Sequence, residues 1–253
     1  MKKVVMLLLT AFVLTSCINI TETHSDKPVK EENRQIPAFE RIRLLGSPTV
    51  YYTQADSVSL RVEAPEDLLE LVETEVHDGV LTVQLRDGAQ DIIRLKRLIS
   101  GDDVSIFVTS PDLIDVQLVG SGDFKCDSHL DTDNLNVELR GSGDMDFRDI
   151  ICDQIKVTLV GSGDMDIKHV VAIRSDMELV GSGDLEISQQ DVAETNIMLK
   201  GSGDIKAGFS RCGNVVSELR GSGDINLRGH VRSLQKSVYG SGDLHAEKLV
   251  VEK

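Results

Sequence analysis

Seven aspartates recur along the second half of the chain at nearly constant spacing: Asp123, Asp144, Asp164, Asp184, Asp204, Asp224 and Asp243. Each closes a Gly-Ser-Gly-Asp motif, and successive motifs begin 21, 20, 20, 20, 20 and 19 residues apart. Carboxylates repeated in this way could form a stripe that binds cations or a glycan. They could equally close a bend, because Asp beside Gly accepts nearby backbone N–H groups. The bend is the better reading. Calcium-binding glycine-aspartate repeats use a nine-residue period and more glycine, so they match poorly.

The other residues with chemical potential are sparse. Histidines 24, 77, 129, 169, 230 and 245 are scattered. His129 and His230 share a phase but stand five repeats apart, on the order of 24 Å, too far for a shared metal. Surface positions are therefore expected for them. Cys126, Cys152 and Cys212 show no CxxC or Cys/His spacing of the zinc type, and three is an odd number for a disulfide framework. They read as small core residues. No metal, cofactor or catalytic group is expected.

Cys17 is different. Lys2 and Lys3 precede an apolar run from Val4 to Leu14, and Leu14-Thr15-Ser16-Cys17 follows at once. The run is too short to span a membrane and has the layout of a signal peptide. Small residues leading into cysteine resemble a bacterial lipobox. That resemblance implies lipid modification of the Cys17 thiol, cleavage before it and acylation of the new amino terminus. Two or more chains give lasting attachment where one would not.

The elements that position the aspartates can be read from the flanking residues. Two positions before the first glycine stand Leu118, Leu139, Leu159, Leu179, Leu199, Leu219 and Val238. Two positions after the second come Phe124, Met145, Met165, Leu185, Ile205, Ile225 and Leu244, and two further on Cys126, Phe147, Ile167, Ile187, Ala207, Leu227 and Ala246. Polar residues alternate with them, which is the period of a strand with one buried face. The phase runs through the motif, placing both glycines inward and Ser and Asp outward. Inward glycine leaves room for a bend or for close approach of a facing wall. The more polar second half of each repeat is expected to hold a turn and a short strand.

One such unit of about 20 residues matches a coil of a right-handed parallel β-helix, each coil covering the apolar edge of the next. Seven coils would make a rod roughly 30–35 Å long. A propeller blade needs roughly 40 residues, twice the unit seen here. Residues 36–119 read as a divergent N-terminal β-rich cap with the first coils, and residues 120–253 as the repeat helix. In the cap, Gly46-Ser47-Pro48-Thr49 stands where the motif would be, Ser57–Glu63 and Val80–Arg86 alternate as strands, and Pro65-Glu66-Asp67 marks a helix start. Residues 1–16 are the signal peptide and residues 17–35 a polar tether without strand periodicity.

Composition agrees with this reading. Aromatic residues are 4% and Trp is absent, so the core must be aliphatic. The formal charge of −15 becomes −17 without residues 1–16, which hold two lysines and no acid. Such a charge repels nucleic acid.

The whole pattern resembles the putative auto-transporter adhesin, head GIN domain family, mostly exported proteins of Bacteroidetes and related bacteria. The residues that carry the resemblance are Phe39 and Ile42, the helix, Gly and strand ending at Asp78–Leu85, Ser110-Pro111-Asp112-Leu113, and the serial Gly-Ser-Gly-Asp strands. The eponymous Gly-Ile-Asn triplet has its nearest match in Gly223-Asp224-Ile225-Asn226, which inserts an aspartate. The resemblance covers roughly residues 36–250, implies a β-helical fold and brings no catalytic residues.

Two functions remain. One is a non-catalytic, adhesin-like or ligand-binding module of the cell envelope, held by lipid on Cys17 and meeting a glycan or protein partner. Ile18 after Cys17 resembles outer-membrane sorting. The other is a carbohydrate-active enzyme of the polysaccharide lyase type, which shares the architecture. A lyase needs acids and a base concentrated on a few coils, whereas here the acids are spread evenly.

Overall fold

The computed structural model describes residues 28–86 and 104–252. The signal peptide, Cys17 and residues 17–27 of the tether lie outside the described residues.

The molecule is a parallel β-solenoid of about seven turns. Each repeat places one strand before the motif and one after it. The strands before are β8 (Asp115–Gly120), β10 (Asn134–Gly141), β12 (Gln154–Gly161), β14 (Arg174–Gly181) and β16 (Glu194–Gly201); those after are β9 (Asp123–Asp131), β11 (Asp144–Ile151), β13 (Asp164–Val171) and β15 (Asp184–Gln190). In the last coils the second strand of one repeat runs on into the first strand of the next, giving β17 (Asp204–Gly221) and β18 (Asp224–Gly240), and β19 (Leu244–Val251) ends the rod. Register is in step with the repeat: Gly141 pairs with Gly161 and Gly161 with Gly181, while Asp144 pairs with Asp164 and Asp164 with Asp184.

The inward columns are those of the alternation except in the last coil, where Val238, expected inward, is exposed. Leu118, Leu139, Leu159, Leu179, Leu199 and Leu219 are all fully buried, as are Ile42, Val116, Val137 and Val157. The second half of each coil holds the expected turn, at residues 132–133, 152–153, 172–173 and 191–193, and loses it only in β17 and β18. Before the turn the strand continues past a register shift between Phe147 and Asp149, which restores Leu130, Ile150 and Val170 to the interior.

The glycines act along the stack rather than across it. The first glycine of each motif has φ near +140°, as at Gly161 (+143°) and Gly181 (+140°). A Cβ on Gly161 would lie 2.0 Å from the Gly141 carbonyl oxygen, and one on Gly163 2.1 Å from that of Gly143. The close neighbour is the preceding coil's backbone, so each glycine is required by the glycine beneath it.

The cap is built from β1 (Val29–Arg34), β2 (Arg41–Gly46), β3 (Thr49–Gln54), β4 (Ser59–Pro65), α1 (Glu66–Leu69), β5 (Val72–His77), β6 (Val80–Leu85) and β7 (Ser105–Ser110). The expected helix and strands are present. Gly46 pairs with Gly120 and Thr49 with Asp123, so β2 and β3 form a motif-like coil. That coil is out of sequence order: β2 lies between β6 and β8, and β3 between β7 and β9. Antiparallel pairs β1–β4, β4–β7 and β5–β6 close this end. β1 corrects the tether, which is strand from Val29 onward. Its residues have no buried face to betray it; backbone pairing holds it, with Arg34 donating from Nη1 to the Val72 carbonyl at 2.6 Å.

Candidate functional site

Parallel stacking turns each outward position of the repeat into a column, so the candidate residues are rows of like side chains about one strand spacing apart. The aspartate ladder is such a row. Its carboxylates are outward, as expected, but their donors come from the next coil rather than from their own bend. The Asp164 amide donates to Asp144 Oδ1 at 3.3 Å, the Asp184 amide to Asp164 Oδ1 at 3.1 Å, and the Asp224 amide to Asp204 Oδ1 at 3.1 Å. The Asp243 amide does the same to Asp224 Oδ1 at 3.1 Å. At two steps the amide turns to a glycine carbonyl instead, Asp144 donating to Gly122 and Asp204 to Gly183, each at 3.2 Å.

A second acidic column, Asp146, Asp166 and Glu186, lies beside the ladder in register. The ionised form is disfavoured at the partly buried acids of the two columns nearest the cap. Burial raises the Asp123 carboxyl above its ordinary value, against the opposing Lys125 ammonium and with added repulsion from Asp144. Burial likewise raises Asp146, with Lys125 again opposing and Asp166 and Asp144 adding to the rise.

Two histidines expected to be isolated on the surface are joined. Asp149 Oδ2 accepts from His129 Nδ1 at 2.6 Å and Oδ1 from His169 Nδ1 at 2.5 Å, one residue from each of three successive coils. Since a carboxylate can only accept, both rings carry their proton on Nδ1. The hydrogen bond from His169, then that from His129, hold the Asp149 carboxyl below its ordinary value against slight desolvation. The signal was in the sequence as positions 129, 149 and 169, visible once acids and histidines are compared in one phase. His230 pairs in register with Val250 and joins no such row.

The remaining polar contacts are structural. Arg211 forks onto Asp191 in the adjacent coil, Nε to Oδ1 at 2.8 Å and Nη2 to Oδ2 at 2.6 Å. Both residues have positive φ, near 55°, so the pair staples a strained corner. Arg228 reaches past the bare Gly208 to Glu186 Oε1 at 3.0 Å. Cys126, Cys152 and Cys212 are buried, as expected, and burial raises all three thiols, Cys152 to about 11. Protonated, enclosed thiols are poor nucleophiles.

A third cluster lies at the carboxy-terminal end, where Asp224, Asp243 and His245 bring one ligand atom each within 4.8 Å of one another. The two aspartates belong to the ladder; the histidine was not connected with them by spacing, because it stands two residues beyond the last motif.

The fold has solved counterparts. The chain is similar to a "putative adhesin" from Bacteroides fragilis, with a TM-score of 0.75 and 22% identity over 88% of this chain and 98% of that one. It is similar to a "putative lipid binding protein" from Parabacteroides distasonis (TM-score 0.69, 22% identity, 89% and 98% covered). A "putative adhesin" from the same species gives a TM-score of 0.71 at 19% identity, with 89% and 98% covered. No curated protein matches the chain. Residues 38–212 and 189–253 both match one family profile, and the chain therefore belongs to the family described as "Putative auto-transporter adhesin, head GIN domain".

Proposed function

We propose that this protein is a non-catalytic binding module of the bacterial cell envelope, anchored in the outer membrane by lipid on Cys17 and presenting the solenoid to a glycan or protein partner. The observation that carries the reading is the use made of the ladder. Four of its carboxylates, Asp144, Asp164, Asp204 and Asp224, are taken up by amides of the next coil, and the ladder runs along the rod rather than gathering around one reacting centre. A polysaccharide lyase needs the opposite arrangement, with acids and a base concentrated locally. Membership of an adhesin family supports an exported, surface-directed role.

Anchoring and binding are tested separately. Cys17→Ser should move the protein from the membrane fraction to the soluble fraction; a variant that stays with the membrane overturns the lipid anchor. A glycan array and a cross-linking pull-down with the intact protein should yield a saturable partner. Turnover of a uronic-acid polysaccharide by the same preparation would overturn the non-catalytic reading.

A further inference from the structure

We infer that the carboxy-terminal end of the solenoid carries a divalent transition-metal site formed by Asp224, Asp243 and His245, of the class that takes Zn²⁺. This stands apart from the anchoring and binding roles above.

Three features set this end off from the rest of the ladder. First, the donor set is mixed. The column that runs beside the ladder holds Lys125, Asp146, Asp166, Glu186, Lys206 and Asn226, and His245 stands opposite Asn226 as its one imidazole. Nitrogen with two carboxylate oxygens suits a borderline cation such as Zn²⁺, and three protein ligands leave positions open for water or a co-ligand. Calcium prefers six to eight oxygens, which the cluster cannot supply.

Second, the last rung differs from those below it. Asp144, Asp164, Asp204 and Asp224 each accept an amide from the coil above. Among the described residues the Asp243 carboxylate has neither a hydrogen bond nor an ion pair. The Asp184 carboxylate also lacks an amide, but at Asp243 the unpaired carboxylate stands beside an imidazole, His245.

Third, the geometry is close. The candidate ligand atoms lie within 4.8 Å of one another, and Asp243 and His245 are exposed, so side-chain rotation alone can bring them to bonding distance of a shared ion. Lys206, Arg228 and Lys248 line the adjoining groove with His245. Their charge weakens the pull on a cation and favours an anionic co-ligand, which points to micromolar rather than nanomolar affinity.

The test is calorimetric titration of the full-length protein with ZnCl₂ in a non-chelating buffer near neutral pH. One equivalent should bind saturably. His245→Ala and Asp243→Asn should each weaken it by about tenfold or more, as expected for loss of a ligand. Both substitutions lie at an exposed end and should leave the circular dichroism unchanged. His169→Ala is the internal control and should bind as the parent does. Absence of saturable zinc binding overturns the site, as does binding that survives both His245→Ala and Asp243→Asn. Loss in His169→Ala alone would place the ion at the His129–Asp149–His169 row and overturn it equally.

Discussion

The backbone amide of Asp184 donates to Oδ1 of Asp164 at 3.1 Å, so one motif's carboxylate is capped by the next motif's peptide group. Neighbouring carboxylates about 5 Å apart repel by roughly 1 kcal/mol even at the dielectric of water. A hydrogen bond to a charged acceptor contributes about 1.5–3 kcal/mol. The amide therefore offsets the repulsion without a counter-ion. Asp164→Asn keeps an acceptor oxygen and removes repulsion from two neighbours, so the two effects oppose and stability should change by less than about 1 kcal/mol. Thermal melts should rise modestly with NaCl through screening, and CaCl₂ at matched ionic strength should add nothing further. A calcium-specific rise of about ten degrees, lost in Asp164→Asn, would turn the stripe into a calcium site.

Two glycines separate close approach from mere permissiveness. Gly181 has φ of +140°, and a Cβ there would sit 2.0 Å from the Gly161 carbonyl oxygen. Neither backbone can yield without breaking the ladder, so Gly181→Ala should cost about 3 kcal/mol or more, the sum of overpacking and a strained φ. Gly208 is different: a Cβ would meet Arg228 Nε at 3.4 Å and Ser188 Oγ at 3.5 Å, both mobile side-chain atoms. Gly208 is covered by the Arg228 side chain, and a Cβ there would make only ordinary van der Waals contacts, so Gly208→Ala should be within about 0.5 kcal/mol of neutral. Chemical denaturation of both variants checks the pair, and equal losses would refute the axial-contact account.

The Asp149 row gives the fold an acid-sensitive contact. His169 and His129 hold the Asp149 carboxyl below its ordinary value. A depressed folded-state pKa stabilises the fold above the unfolded-state value, near 4, and that contribution disappears as pH falls through the folded value. Asp149→Asn should therefore be less stable than the parent at pH 5 to 7, with the two curves converging below about pH 3. The carboxylate is partly exposed, so the gap should stay below about 1 kcal/mol. A gap that persists unchanged at pH 2.5 would mean that packing, not ionisation, is what the substitution removes.

The coils, their inward columns and the phase of every motif were legible in the sequence because burial alternates with period two and the stacking repeats it every 20 residues. Three things were not. β2 and β3 slot between β6 and β8 and between β7 and β9, and alternation carries no information on the order in which coils stack. β1 is polar on both faces, so nothing distinguished it from a tether. The His129–Asp149–His169 row unites residues of different type, and a search for repeats of one residue type passes over it. The ladder's outward direction was read correctly, but its donors were placed in the bend rather than in the coil above, since a one-dimensional motif shows its own amides and not its neighbour's.

The coil is also the unit by which the chain can be shortened. Register pairs Val160 with Val180 and Gly161 with Gly181, so excising residues 161–180 joins Val160 to Gly181 in the same phase. The Asp184 carboxylate then lies over Asp144, Leu179 is lost together with its whole layer, and Leu199 comes to rest on Leu159. Every inward column continues, and the cap and last coil are untouched. One layer of apolar burial disappears along with the chain entropy needed to order it, so the net loss should be small against the stability of the whole array. Excising residues 161–171 removes an odd number and joins Val160 to Ala172. Downstream side chains would then exchange faces, presenting Arg174 and Asp176 to the interior in place of Ser175 and Met177. The first variant should be soluble, with an unchanged circular dichroism spectrum per residue and a rod shorter by about 5 Å in small-angle scattering. The second should be insoluble or lack a cooperative melt. Cooperative unfolding of both would mean that the 20-residue repeat is not the packing unit.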